Sequence, residues 1–264
     1  IMKIALVGYG KMGHMLEQSA LAFGHSVVST IDVFAPDAKV KISAGDSKAL
    51  ADAVVSSGAD GIIEFTHPSS VLENIKTLLP LKIPMVVGTT GWNDKKDEVA
   101  SLAAKCGGTI MTSANFSIGV NILYKIVEDA ARLANKFSEY DAAIWEMHHN
   151  QKADSPSGTA LEIANHLLSE FKRKNSIVTN EFKEKPLPSQ LHVSSTRCGS
   201  VPGTHKVFFD CEADTIEITH TARSRKGLAN GAVHALENLS SMLKEGRLKP
   251  GALYGMNDVF PELF

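Results

Sequence analysis

Three glycines near the N-terminus, in Val7-Gly8-Tyr9-Gly10-Lys11-Met12-Gly13, follow an apolar strand-like run, Met2 to Val7, and open a helix-periodic one, Met12 to Phe23. That order leaves few folds open. Gly8 permits a tight turn, Gly10 lets backbone approach a pyrophosphate, and Gly13 lets a helix pack closely on a strand. A diphosphate then rests on unpaired N–H groups at the helix N-terminus. Asp32, 19 positions beyond Gly13, ends the second strand-like run. A carboxylate there can accept hydrogen bonds from the ribose hydroxyls of an adenine dinucleotide. The spacing predicts a dinucleotide site built from Gly8, Tyr9, Gly10, Lys11, Met12, Gly13 and Asp32. Asp32 is followed by Val33, not by a cation, and a carboxylate repels a 2′-phosphate. NADH is therefore favoured over NADPH, although Lys11 or Lys39 could reach such a phosphate.

The rest of the first half repeats the alternation. Ser26 to Ile31, Gly61 to Phe65, Pro84 to Val87 and Thr109 to Thr112 read as short apolar strands; Leu50 to Val55, Val71 to Leu79 and Lys95 to Lys105 read as helices between them. Near-continuous apolar strands are buried on both faces, and intervening helices make right-handed parallel crossovers. Residues 2 to about 115 are predicted to be a Rossmann-type, doubly wound parallel sheet in an α/β fold. The second half changes character. Ile118 to Asn135 reads as a long helix, Asp141 to Met147 as a strand, and Gly158 to Phe171 as a helix. Asn175 to Gln190 reads as an exposed loop, and Leu191 to Thr196, His205 to Cys211 and Thr215 to Thr221 as strands before a closing helix, Gly227 to Leu243. This is a second, α+β domain with a mixed or antiparallel sheet.

Composition narrows the partners. With 264 residues, 44% of them hydrophobic, and a net charge of −2, nothing draws the chain as a whole to nucleic acid or to an acidic membrane. The apolar run Ile4 to Val7 is too short for a signal peptide or a membrane span. Cys106, Cys198 and Cys211 are odd in number and widely spaced, which fits the reduced cytoplasm.

Two further loops follow strand ends, where open α/β sheets bind ligands: Gly88-Thr89-Thr90-Gly91 and Ser113-Ala114-Asn115-Phe116. Gly88, Thr89, Thr90, Ser113, Ala114, Asn115 and Phe116 join the candidate cofactor residues. Chemistry concentrates in Glu146-Met147-His148-His149-Asn150-Gln151-Lys152-Ala153-Asp154-Ser155-Pro156-Ser157-Gly158-Thr159. Hydride transfer builds charge on a substrate and demands a proton, and His148, His149 and Lys152 are the candidates to supply it. Adjacent strand residues point to opposite faces, so the two histidines have different jobs. Adjacent histidines chelate poorly and no His-Glu-x-x-His accompanies them, so no metal is expected. Ser157 can cap the following helix, whose Gly158 and Thr159 N–H groups offer a carboxylate cradle. Lys226, Arg197, Arg223 and Arg225 could hold a second carboxylate.

With these residues placed, the chain resembles the 4-hydroxy-tetrahydrodipicolinate reductase family over nearly its whole length. The resemblance rests on the glycine motif, on Gly88-Thr89-Thr90-Gly91, Ser113-Ala114-Asn115-Phe116-Ser117, Glu146-Met147-His148-His149 and Lys152-Ala153-Asp154-Ser155-Pro156-Ser157-Gly158-Thr159-Ala160, and on Ile218-Thr219-His220-Thr221-Ala222 with Ala229-Asn230-Gly231-Ala232. It implies that NADH or NADPH reduces the dehydrated form of a dicarboxylate, 4-hydroxy-tetrahydrodipicolinate, to tetrahydrodipicolinate in lysine and diaminopimelate biosynthesis. His148 would be the general acid/base and Lys152 the proton donor; His149, Gly158 and Thr159 would hold carboxylates. It also implies a dinucleotide domain of residues 1–116 plus a C-terminal segment of about 227–264, with residues 117–226 forming the substrate domain. A homotetramer built through the second sheet, with a hinge between domains, is implied as well. The chain departs from the family at Val33, where members that use NADPH well often carry a basic residue, and in the spacer Asn150-Gln151. Another small Rossmann dehydrogenase for amino acids or semialdehydes would share the cofactor site but has no need of the histidine–lysine string. A non-catalytic NAD-binding regulator would need a partner-binding element, and there is no basic recognition helix.

Overall fold

Apolar runs of three to seven residues become parallel strands because both of their faces are covered. The computed structural model describes residues 1–263, and its first half supplies β1 (Lys3–Val7), α1 (Lys11–Ala22), β2 (Ser26–Asp32), β3 (Val40–Lys41), α2 (Ser47–Ser57), β4 (Gly61–Glu64), α3 (Val71–Leu78), β5 (Met85–Val87), α4 (Lys96–Cys106) and β6 (Ile110–Thr112). Ile4, Ala5 and Leu6 are all sealed from solvent although they alternate between faces. The limits of α2 come from local chemistry. The Asp46 carboxylate accepts from the Ala49 N–H, and Gly58 ends the helix in the left-handed conformation.

Period-2 burial dominates the next stretch. It comprises α5 (Ile118–Ala134), β7 (Asp141–His148), α6 (Gly158–Glu170), β8 (Ser176–Val178), β9 (Gln190–Arg197), β10 (Thr204–Asp210) and β11 (Thr215–Thr221). Their order is β11-β10-β7-β9-β8. β10 runs antiparallel to β7 and β11, whereas β9 runs parallel to β7 and β8, so the sheet is mixed. Along β7, Ala142, Ile144, Glu146 and His148 are the buried residues, and along β10 they are His205, Val207 and Phe209. Their aliphatic members pack with Val127, Ile163, Leu167 and Val193 in one core. The alternation therefore places Glu146 and His148 on a single face, and the register sets His205 opposite Glu146.

The remainder forms α7 (Lys226–Lys244), β12 (Leu253–Tyr254) and α8 (Met256–Val259), and β12 completes the first sheet. That sheet has the order β12-β6-β5-β4-β1-β2-β3 and is parallel throughout. The strand order reverses about β1, so the ends of β1 and β4 flank the switch point where such sheets bind ligands. The contacts group Ile1–Ser117 with the chain from Lys226 onward as one compact unit, and Ile118–Arg225 as another. The fold class is that expected, with one correction. The segment read as an exposed loop, Asn175 to Gln190, contains β8, whose three residues are ordered by pairing with β9 and are too few to show a period. No helix among the described residues is long and apolar enough to cross a membrane.

α7 docks through a glycine. A Cβ on Gly231 would stand 1.7 Å from the Phe116 carbonyl oxygen, which is backbone and cannot swing aside. Gly10, by contrast, has nothing within 4 Å of the same construction. Gly231→Ala should therefore cost about 2–3 kcal/mol, read as a melting temperature lowered by several degrees, while Gly10→Ala leaves the melting temperature nearly unchanged. Equal melting of the two variants would contradict this account of how α7 is seated.

Candidate active site

Two of the three N-terminal glycines are used up by the fold and the third is not. Gly8 has φ +92°, and a Cβ there would lie 1.9 Å from the Phe65 carbonyl oxygen; one on Gly13 would lie 2.4 Å from the Gly8 oxygen. Gly10 is the N-cap of α1, makes no side-chain cap and faces open space. The first N–H groups of α1 are thus left for a group from outside, as an anion cradle requires. Asp32 is held at the turn, with Oδ2 accepting from Tyr9 N at 2.6 Å and Oδ1 from Phe34 N at 2.7 Å and Ala35 N at 2.8 Å. Burial pushes its pKa up, but the backbone donors of Tyr9, Ala35, Phe34 and Val33 outweigh that and hold it below the ordinary carboxylate value. The Tyr9 ring stacks on His14 with centroids 4.2 Å apart, and His14 pairs with Asp37 at 2.7 Å. The Tyr9 hydroxyl, bonded to the Glu17 carboxylate and partly buried, is pushed up to about 12. Lys39 donates its ammonium to the Val27 carbonyl at 2.7 Å, while Lys11 stands exposed at the start of α1.

Met12, Phe65, Thr66, Pro68, Gly88, Thr89 and Thr90 line a recess of about 220 Å³ at the β4 and β5 ends. Met12, Gly88, Thr89 and Thr90 were expected at a cofactor, and here they converge. Beneath them lies Glu64, bonded to Thr66 and Asn74, its carboxyl pushed up by burial. Thr89 Oγ1 accepts from Thr66 N at 2.7 Å and so ties the two loops together. Ser113, Ala114, Asn115 and Phe116 lie outside that lining. Ser113 Oγ bonds Asn115 O at 2.9 Å, Asn115 Oδ1 accepts from Ser117 N at 2.9 Å, and the Phe116 ring is buried.

In the second unit His148 ends β7 with Nδ1 on the Glu146 carboxylate. Glu146 has no exposed surface; its Oε1 accepts from Arg197 Nη1 at 2.8 Å and from Ser157 N at 3.4 Å. Burial pushes the Glu146 carboxyl up, but Ser195, Arg197 and His148 around it together hold it below the ordinary range. Burial pushes His148 down, and the charges of Lys152 and Arg197 reinforce this against the pull of Glu146. Lys152 pairs with Asp154 at 2.8 Å. Arg197 also donates to the Lys152 carbonyl at 3.3 Å and to the Asp154 carbonyl at 2.5 Å, strapping the loop that carries the lysine. Ser157 caps α6 by accepting from Ala160 N, which leaves Gly158 exposed at the first turn; Thr159 is hydrogen-bonded to Tyr124. His149 directly follows β7, with Nδ1 buried and lacking a hydrogen-bond partner. Arg223 and Arg225 are exposed.

Glu146, Arg197 and His205 complete a constellation that the sequence only half showed. Glu146 and His148 stand two apart on an alternating strand, a legible signal. Arg197 needed the parallel β7–β9 register, which sets it opposite His148, and His205 needed the β10 register. The His205 ring meets His148 edge-on at 5.2 Å and its Nε2 lies 3.2 Å from Ser157 Oγ. Ligand atoms of Glu146, His148 and His205 lie within 4.8 Å of one another, as in a metal site. Arg197 and the His148 ring already engage the carboxylate, however, and such a set can exchange protons.

A family model described as "Dihydrodipicolinate reductase, N-terminus" matches residues 2–116, and "Dihydrodipicolinate reductase, C-terminus" matches residues 119–260. The chain is 34% identical over 263 residues to 4-hydroxy-tetrahydrodipicolinate reductase of Christiangramia forsetii, covering 100% of this chain and 99% of that one. It is 36% identical over 254 residues to the enzyme of the same name from Archaeoglobus fulgidus, covering 93% and 96%. In fold it resembles the dipicolinate-bound dihydrodipicolinate reductase from Paenisporosarcina sp. TG-14, with a TM-score of 0.75 at 20% identity, covering 98% and 99%.

Burial and the neighbouring His148 push the pKa of His205 down from 6.5 to about 4. Below pH 6.5 the unfolded chain takes up a proton at this position and the folded one does not. The stability that neutral His205 confers is therefore complete above pH 6.5 and is lost as pH falls toward 4. Between pH 7 and 5 this amounts to about 2 kcal/mol. Urea melts at both values should show His205→Gln losing less stability than the wild type over that interval; equal losses would rule the effect out.

Proposed function

The chain belongs to the dihydrodipicolinate reductase family, and from that premise we propose how its residues perform the family reaction. The reaction is reduction of the dehydrated form of 4-hydroxy-tetrahydrodipicolinate to tetrahydrodipicolinate, a step of lysine and diaminopimelate biosynthesis, by a nicotinamide cofactor. When bound, the cofactor supplies hydride. Gly8, Tyr9, Gly10, Lys11, Met12, Gly13 and Asp32 hold its adenine and diphosphate part, and the uncapped start of α1 at Gly10 fits that group. Gly88, Thr89 and Thr90, with the backbone of residues 113–116, bind the rest. NADH is the preferred form. Asp32 at the end of β2 and Asp37 just beyond it are two carboxylates that would repel a 2′-phosphate, and the Lys39 ammonium is already engaged by the Val27 carbonyl.

The observation that carries the catalytic reading is the environment of His148. It is buried, held through Nδ1 and electrostatically coupled to Lys152. Hydride arriving at a conjugated dicarboxylate leaves an electron pair that must take a proton. His148 exchanges that proton as general acid/base, and Lys152 donates. His149 and the N–H groups of Gly158 and Thr159 at the first turn of α6 bind the carboxylates. The unit Ile118–Arg225 is thus the substrate domain, and the unit of Ile1–Ser117 with the C-terminal segment is the cofactor domain. Homotetramer formation through the mixed sheet is supported by its edge strand β11, which exposes Ile216. Reduced Cys106, Cys198 and Cys211 accord with a cytoplasmic enzyme.

His148→Ala and Lys152→Ala should each lower turnover by about 10²-fold or more while NADH still binds. Wild-type turnover in both variants would refute the assignment. Steady-state kinetics with the two cofactors should give the higher kcat/KM with NADH; a higher value with NADPH would remove the role given to Asp32 and Asp37.

A further inference from the structure

We propose that Glu146 is the positioning residue of the proton-transfer site. Its carboxylate, steadied by Arg197, holds the His148 ring in the tautomer that carries its proton on Nδ1 and exchanges protons at Nε2. The proposal rests on the reading of His148 as the general acid/base.

An ionised carboxylate only accepts hydrogen bonds. Glu146 is held in its charged form by Arg197 at 2.8 Å, so the His148 Nδ1 that touches it is the donor. Nε2 is left as the nitrogen that can take or give a proton. A Cβ built on Gly203 would stand 2.8 Å from that Nε2, and at φ +154° Gly203 adopts a backbone that L side chains rarely enter. The absent side chain keeps a space open beside Nε2. His205 packs edge-on against the ring and is anchored to Ser157, which keeps the imidazole from turning over.

Arg197 makes the device more than a pair. The same guanidinium that fixes Glu146 binds the Lys152 and Asp154 carbonyls. The orientation of His148 and the course of the loop carrying Lys152 are therefore set by one side chain. When Nε2 is protonated, the imidazolium faces Glu146 on β7 and His205 on β10, with Arg197 on β9 and with Lys152, paired to Asp154, on the loop after β7; His220 on β11 is the cross-strand neighbour of His205. Glu146 is the carboxylate in contact with the ring, and it stabilises the charge that Arg197 and Lys152 oppose. A purely structural carboxylate would need Arg197 but would have no need of the histidine.

Glu146→Gln keeps the shape and removes the charge. Its kcat should fall about 10²-fold with KM changed much less, as expected when the partner that orients a functional histidine is lost. The pH profile of kcat should lose or shift the limb assigned to His148. In the His148→Ala background the same substitution should cost almost nothing further, because Glu146 acts through His148. Wild-type turnover of Glu146→Gln beside an impaired His148→Ala would overturn the proposal and spare the assignment of His148; costs that multiply in the double variant would do the same. Unimpaired His148→Ala would overturn both. Should Glu146→Gln fail to fold, nitrogen-15 spectra of the histidine-labelled wild type decide the matter. An Nδ1–H tautomer at His148 is expected, and an Nε2–H tautomer overturns the proposal.

Discussion

A charge with no access to solvent must be answered from several sides, and the Glu146 carboxylate imposes that requirement on the whole second unit. Its partners come from different elements: Arg197 from β9, the Ser157 N–H from the α6 cap, and His148 from two places along its own strand. Each is in place only if β9 runs parallel to β7 in the observed register and α6 begins at Gly158. Removing one partner would leave a buried charge uncompensated, so strand order, helix start and loop course are mutually enforced. Val127, Ile163, Val193 and Val207 supply the apolar core of the same unit, and the ion network makes the arrangement specific.

The first unit obeys a different constraint, close approach of backbone. Gly8 lies against the Phe65 carbonyl, Gly13 against the Gly8 carbonyl, and Gly231 against the Phe116 carbonyl. These contacts bring α1 and α7 tight to the sheet and leave the Gly10 side of the turn open. The chemistry follows from that contrast. One unit presents uncapped N–H groups and a small recess, and the other a buried imidazole, a lysine and a serine-capped helix start.

The doubly wound sheet was legible because buried parallel strands leave near-continuous apolar runs and because glycine spacing reports a specific turn. His148, Lys152, Gly158 and Thr159 were legible because they are contiguous. β3, β8 and β12 were not, since two or three residues show no period and are ordered only by the neighbours they pair with. The order that puts β9 between β7 and β8 was hidden for the same reason. Ser113, Ala114, Asn115 and Phe116 were legible as a loop after a strand end, but not that the Ser113 and Asn115 side chains brace the turn and the Phe116 ring is buried.

What the sequence by itself determined is which groups are covalently neighbours: the glycine turn before α1, the histidine pair before the lysine, and the serine cap before α6. Local propensity and chain connectivity suffice for those. What only the tertiary structure decided is which groups answer Glu146 and face His148. Arg197, His205 and Gly203 lie some fifty residues further along and reach the site through strand register. Register depends on burying one face of every strand at once, and no short segment contains that information.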